Sequence, residues 1–158
     1  MPEDVLAKIK ELIRAKKKKR PDKNIALMVD GPNIIRKEFK IDLLKVRQKL
    51  EEHGRIKVSK IFLDQYASDK LIEAVTNQGY EPIISTGDVD VTMAVDSICQ
   101  VYNPNIQIIA LMTRDIDFRP VLIKAKELGK ETIVIGVEPG FSVALKHTAD
   151  LVIMAESL

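Results

Sequence analysis

Residues 25–33 read IALMVDGPN: five apolar side chains in an unbroken run, an aspartate, then Gly31-Pro32 and Asn33. A run without polar alternation suits a parallel strand covered on both faces, because the crossovers of such a sheet lay helices on each side of it. Asp30 then falls at the strand's tip. Gly31-Pro32 turns the chain there, so that Asn33 looks back toward the same point.

Outward from this run the signals alternate. IDLLKVRQKLEEHG (41–54) has helical spacing, with Leu43, Leu44, Val46 and Leu50 on an inward stripe and Gly54 as the terminating residue. KVSKIFL (57–63) reads as the second strand. Ser68 caps SDKLIEAVTNQG (68–79), where Leu71, Ile72 and Val75 face inward and Gly79 stops the helix. Strands YEPIIS (80–85), IQIIALMT (106–113), ETIVIGV (131–137) and DLVIM (150–154) follow. They are separated by helices in VDVTMAVDSICQVY (89–102), DFRPVLIKAKELG (117–129), with Pro120 tolerated in its first turn, and FSVALKHTA (141–149). Strict alternation implies right-handed crossovers and a mainly parallel sheet, hence an α/β fold built as a three-layer αβα sandwich.

The chain has 158 residues, 46% of them hydrophobic, enough for one domain with a substantial core and an appended segment too small to be a second. Its net charge of +2 hides an asymmetry. Residues 1–24 hold nine Lys/Arg against four Asp/Glu, a net of +5, and the rest hold sixteen against nineteen, a net of −3. The basic charge thus belongs to a leader. Within it Val5, Leu6, Ile9, Leu12 and Ile13 recur at helical spacing before Lys16, Lys17, Lys18, Lys19 and Arg20, and Pro21-Asp22 ends the helix. The division is a basic amphipathic helix and linker over 1–23 and the αβα domain over 24–158. The cationic cluster reads either as a solvated tail or as an arm for nucleic-acid phosphates. The apolar stripe can dock on its own domain or on a second subunit, which makes a homodimer a candidate assembly.

A single cysteine, Cys99, excludes an intrachain disulfide framework, and no signal peptide opens the chain, so a reducing cytoplasm is the expected setting. No apolar run approaches the roughly 18 residues of a membrane-spanning helix. Cys99 itself reads as a small core residue.

Acidic residues track the ends of these segments. Asp30 follows the first strand, Asp88 and Asp90 follow EPIIS, Asp96 comes one helical stretch later, and Asp115 and Asp117 follow IQIIALMT. In an open α/β sheet, ligands bind at the carboxyl ends of the strands where strand order reverses, so these carboxylates point to one crevice. Two carboxylates about 4 Å apart repel by roughly 4 kcal/mol at an effective dielectric of about 20. Gathering several raises their pKa values unless a cation neutralises them. Oxygen ligands without cysteine or paired histidine favour Mg²⁺ or Mn²⁺ over Zn²⁺. His53 and His147 lack ligand spacing. Asp88 reads as a turn residue, Asp64 and Asp69 as solvated surface, and Asp90 or Asp117 alone also suits a helix cap.

Three segments, VDGPN (29–33), GDVDVTMAVD (87–96) and TRDIDFRP (113–120), closely resemble the motifs of the NYN domain, a branch of the PIN-like nuclease superfamily. The match falls on Asp30, Gly31 and Asn33, on Val89, Asp90, Val91, Ala94 and Asp96, and on Asp115, Asp117 and Phe118, and the resemblance spans about residues 25–155. Thr113-Arg114 departs from the family's Ser-Gly, and Gly87-Asp88 stands where a Lys-Gly pair often precedes Val-Asp. The resemblance implies a Mg²⁺ or Mn²⁺ site and ribonuclease chemistry acting on RNA. On this reading Asp30, Asp96 and Asp115 are the catalytic carboxylates, holding the metal directly or through water. Asp90 and Asp117 are supporting ligands, and Asn33 and Thr113 hydrogen-bond ligands or substrate. Arg114 and Arg119 join Lys16, Lys17, Lys18, Lys19 and Arg20 as contacts for substrate phosphate. The alternative, a non-catalytic RNA-binding or regulatory module on the same fold, draws on the bulky Arg114 beside the centre.

Overall fold

The computed structural model describes residues 2–19, 22–35 and 41–158. Helix α1 (Pro2–Lys19) precedes strand β1 (Asn24–Asp30), the short helix α2 (Gly31–Ile34), α3 (Leu43–Leu50) and β2 (Arg55–Asp64). Then come α4 (Asp69–Asn77), β3 (Glu81–Ser85), α5 (Val89–Val101) and β4 (Ile108–Met112). The chain ends with α6 (Arg119–Glu127), β5 (Glu131–Gly136), α7 (Val143–Thr148) and β6 (Leu151–Met154). All pairs are parallel in the order β3-β2-β1-β4-β5-β6. Strand order therefore reverses between β1 and β4.

Alternate side chains of each strand feed two cores. Ile25, Leu27, Val29, Ile61 and Leu63 pack with Val46 and Leu50 of α3 and Val75 of α4. Ala26, Met28, Phe62, Ile109 and Leu111 pack on the opposite face with Met93 of α5, Leu122 and Ala125 of α6, and Leu145 of α7. β1, central in the sheet, is buried along both faces, which is why its sequence lacks alternation.

Several sequence expectations fail in detail. Leu44 is exposed, because three neighbours on α3, Leu43, Val46 and Leu50, already fill the inward face. Gly54 does not end α3 in the left-handed region; an added Cβ there would lie 2.5 Å from the Lys23 carbonyl oxygen, so close backbone approach explains it. Gly79, at φ +91°, does terminate α4 as expected. Cys99 is exposed on α5, and Ser97 takes the buried position. The expected helix stop at Pro21 lies outside the described residues. Among the described residues no helix is long and apolar enough to cross a membrane.

Candidate metal centre

β1 and β4 end side by side at the reversal of strand order, and their termini carry the first half of the site. Asp30, 1% exposed, closes β1. Its Oδ2 accepts hydrogen bonds from Asn33 Nδ2 at 2.8 Å and Thr113 Oγ1 at 3.0 Å. Asn33 reaches back because α2 starts at once after Asp30. That tight start requires glycine at position 31, where an added Cβ would stand 2.4 Å from the Phe62 carbonyl oxygen. Burial pushes the Asp30 pKa up against the hydrogen bonds from the Asn33 side chain, Thr113 and the Asn33 backbone, and the charge of Asp115 pushes the same way as burial. The other oxygen, Oδ1, is buried and accepts no hydrogen bond.

The second half comes from two helix starts. After β3, Asp88 caps α5 by accepting from the Asp90 backbone N–H at 2.9 Å, and Ser85 Oγ lies 2.8 Å from Thr92 Oγ1 to pin the first turn. After β4, Asp115 accepts from the Asp117 N–H at 2.9 Å and opens a short 3₁₀ turn, Ile116–Phe118, while its own N–H donates to Thr113 Oγ1 at 3.1 Å. The caps are therefore Asp88 and Asp115, whereas Asp90 and Asp117 occupy first turns. This corrects both the turn reading of Asp88 and the capping reading of the other two.

Asp90, Asp115 and Asp117 each offer a carboxylate oxygen within 4.8 Å of the others'. Partial burial pushes the Asp90 pKa up to about 6, and the charges of Asp30, Asp115, Asp88 and Asp117 push in the same direction. These oxygens are hard, convergent and mutually repelling. They fit a hard divalent cation and lack the soft donors that zinc or copper would favour, and the charge of Asp30 acts on them from nearby.

Asp96 stands elsewhere. Six residues beyond Asp90, it lies about 9 Å further along the helix axis, since each residue adds about 1.5 Å. Lys60 Nζ binds its two oxygens at 3.0 and 3.2 Å. Lys60 precedes by two residues the Phe62 that pairs with Asp30 across the sheet, so this ion pair sits a step below the strand tips. Sequence reading missed the Lys60 partner because nothing in IKVSKIF signals which helix residue its lysine meets.

Arg114 turns from the cluster to the loop after β5, donating from Nη1 to the Pro139 carbonyl at 2.5 Å while its carbonyl accepts from Ser142 N–H at 3.2 Å. Arg119 donates from Nε to Thr148 Oγ1 at 3.0 Å, linking α6 to α7. Both arginines thus stitch neighbouring elements. Lys16, Lys17, Lys18 and Lys19 fall on the last turn of α1, though their side chains and all of Arg20 lie outside the described residues. Asp64 accepts from the Tyr66 N–H at 2.9 Å and Asp69 is exposed. His147 is also exposed and His53 is half-buried. Beside the centre, an open cleft of about 350 Å³ runs from Gly31 and Pro32 across Leu63 and Leu71 to Tyr66.

Residues 24–156 match the model of the NYN domain family. The chain is 58% identical over 151 residues to the uncharacterized protein MJ0482 of Methanocaldococcus jannaschii, an alignment covering 96% of this chain and 62% of that protein. It therefore spans under two thirds of the curated relative's length. The crystal structure of VPA0982 from Vibrio parahaemolyticus, described as a protein of unknown function, shares the fold with TM-score 0.74 and 19% identity, over 84% of this chain and 93% of that one.

Proposed function

Since the chain belongs to the NYN domain family, of the PIN-like nuclease superfamily, we propose that it is a metal-dependent ribonuclease. The observation that carries this reading is the convergence of Asp90, Asp115 and Asp117 within 4.8 Å at the reversal of strand order, beside buried Asp30. A phosphodiester cannot approach such a cluster unless its charge is offset. Mg²⁺ or Mn²⁺ held by Asp90, Asp115 and Asp117 would supply that offset, activate water and stabilise the oxygens that gain charge during hydrolysis. Asp30 adds its charge from the side, with Asn33 and Thr113 fixing one of its oxygens. Asp88 and Asp115 orient the turns that carry Asp90 and Asp117. On this reading Asp96, paired with Lys60, steadies α5 from outside the three-carboxylate cluster.

The cleft beside Gly31 and Pro32 receives a nucleotide next to the scissile phosphate, with exposed Tyr66 as a single stacking surface. The leader over 1–23 adds sequence-independent attraction to the RNA backbone while the domain over 24–158 performs the chemistry, in a cytoplasmic setting. The test is cleavage of single-stranded RNA with Mg²⁺ or Mn²⁺, wild type against Asp115→Asn. Cleavage that needs the metal and disappears in the variant, with RNA affinity kept, supports the enzyme. Metal-independent binding without cleavage by the wild type supports the binding module instead.

A further inference from the structure

β3 is shorter than β2 and leaves part of it uncovered. Its first residue, Glu81, pairs with Lys60, so residues 55–59 of β2 have no strand on that side. Along this stretch β2 is an edge, with main-chain N–H and C=O groups that the sheet does not use. A cavity of about 380 Å³ opens there, bordered by Arg47 of α3 and Gln100 of α5. It lies away from the acidic centre. Ser59 precedes Phe62, the strand partner of Asp30, by three residues, or about 10 Å at roughly 3.3 Å per residue.

The side chains around this cavity are mainly donors. Arg47 is half-buried and held in place: Nη1 donates to the Gly79 carbonyl at 3.1 Å, and the guanidinium carbon stands 5.6 Å from the centroid of the Tyr80 ring. Glycine at position 79 makes room for it, since an added Cβ would lie 3.1 Å from Arg47 Nε. A guanidinium has several N–H donors, so this anchoring leaves others for a ligand at little further cost in side-chain entropy. Gln100 Oε1 accepts from Asn103 Nδ2 at 3.3 Å, which leaves its NH₂ group to donate. Ser59 Oγ is buried and has no hydrogen-bond partner among the described residues. A buried hydroxyl in that state needs a partner from outside the chain.

Charge narrows the choice of ligand. Lys60 borders the cavity with its charge already met by Asp96 at 3.0 Å, while Arg47 and exposed Lys57 outweigh the exposed carboxylate of Glu81. The lining therefore suits an anion that accepts hydrogen bonds at several oxygens, and the planar fork of arginine matches phosphate in particular. An added peptide strand carries as many N–H donors as acceptors and would leave the cationic groups unanswered. We propose that this edge of β2 is a phosphate-binding site, separate from the acidic centre, in which Arg47, Lys57, Ser59 and Gln100 donate to phosphate oxygens. The site stands independently of the nuclease reading. An RNA phosphodiester and a free phosphorylated compound share the chemistry it recognises.

Amide chemical shifts of the metal-free full chain, followed by NMR during titration with pyrophosphate against sodium chloride at matched ionic strength, read the site directly. Pyrophosphate should move the signals of Arg47, Lys57, Ser59 and Gly79 to saturation. Lys57→Glu, at an exposed position, should weaken this binding on the order of tenfold, the loss of one charge-assisted contact. Arg47→Lys keeps the charge and removes the fork, and should weaken it as well. Weaker binding in either variant supports the site. Shifts no larger than those from chloride, or wild-type affinity in both variants, overturn it. A second titration with oligouridylate separates the sources: the same amides move if the RNA backbone occupies the site, and stay still if it takes free phosphate compounds.

Discussion

Asp90 reports the electrostatics of the centre, because its pKa is pushed up from 3.8 to about 6 by burial and by four neighbouring carboxylates. A proton is thus bound more tightly in the folded protein than in the unfolded chain. The sign follows by linkage: the stabilising contribution is full below about pH 4 and is lost as pH rises through about 6. Metal-free protein should accordingly lose thermal stability across that interval. Mn²⁺ needs the ionised ligand, so its stabilising effect should be small near pH 5 and full above about pH 7. Thermal scans in matched buffers, with and without Mn²⁺, check both slopes. Asp30→Asn removes one of the repelling charges; its metal-free melting temperature should equal or exceed that of the wild type, while most of the Mn²⁺-dependent rise disappears. A melting temperature that Mn²⁺ leaves unchanged in the wild type would contradict this picture. Strand ends made Asp30, Asp90, Asp115 and Asp117 legible as a group in the sequence. The division of labour among them was not, because it depends on which oxygens converge, and the six-residue offset of Asp96 from Asp90 matters only once α5 has a direction.

At the scale of elements, the turn from β1 into α2 decides where the centre forms. The backbone at Gly31 passes so close to β2 that a methyl group would strike the Phe62 carbonyl oxygen at 2.4 Å and the Leu63 side chain at 2.6 Å. Gly31→Ala should cost about 1–3 kcal/mol, the usual range for forced overpacking, and should shift Asn33 away from Asp30. Urea denaturation measures the first effect, and loss of Mn²⁺ response beyond the loss of stability measures the second. Asp88→Ala removes the cap of α5 and should cost about 1 kcal/mol. The strand and helix alternation was readable because period and length differ between a buried strand and an amphipathic helix. Caps were less readable: GDVD offers two aspartates to one helix start, and only the backbone path shows that Asp88 takes the cap and frees Asp90. Cys99 was misplaced for a related reason, since the outward face of α5 is as apolar as its inward one and the sequence does not say which is which.

For the molecule as a whole, strand order β3-β2-β1-β4-β5-β6 brings residues as distant as Asp30 and Thr113 into hydrogen-bond contact, so a single reversal assembles the acidic centre from three separate segments. The body is net acidic and the leader net basic, so on the proposed function the leader supplies the main attraction for RNA. Replacing Lys16, Lys17, Lys18 and Lys19 with Gln should weaken RNA binding at low salt and flatten the log-affinity against log-salt slope by up to roughly 3, at about 0.7 per single-strand phosphate contact. Parallel slopes for wild type and variant would reduce the lysine run to a solvated tail.

The central claim, that these carboxylates hold a divalent cation, is tested most directly by anomalous diffraction from a crystal soaked in Mn²⁺. A peak is expected bonded at about 2.1 Å to oxygens of Asp90, Asp115 and Asp117, with Asp96 still on Lys60. A map with no peak there at millimolar Mn²⁺, or with the ion bound at Asp96 instead, would contradict it.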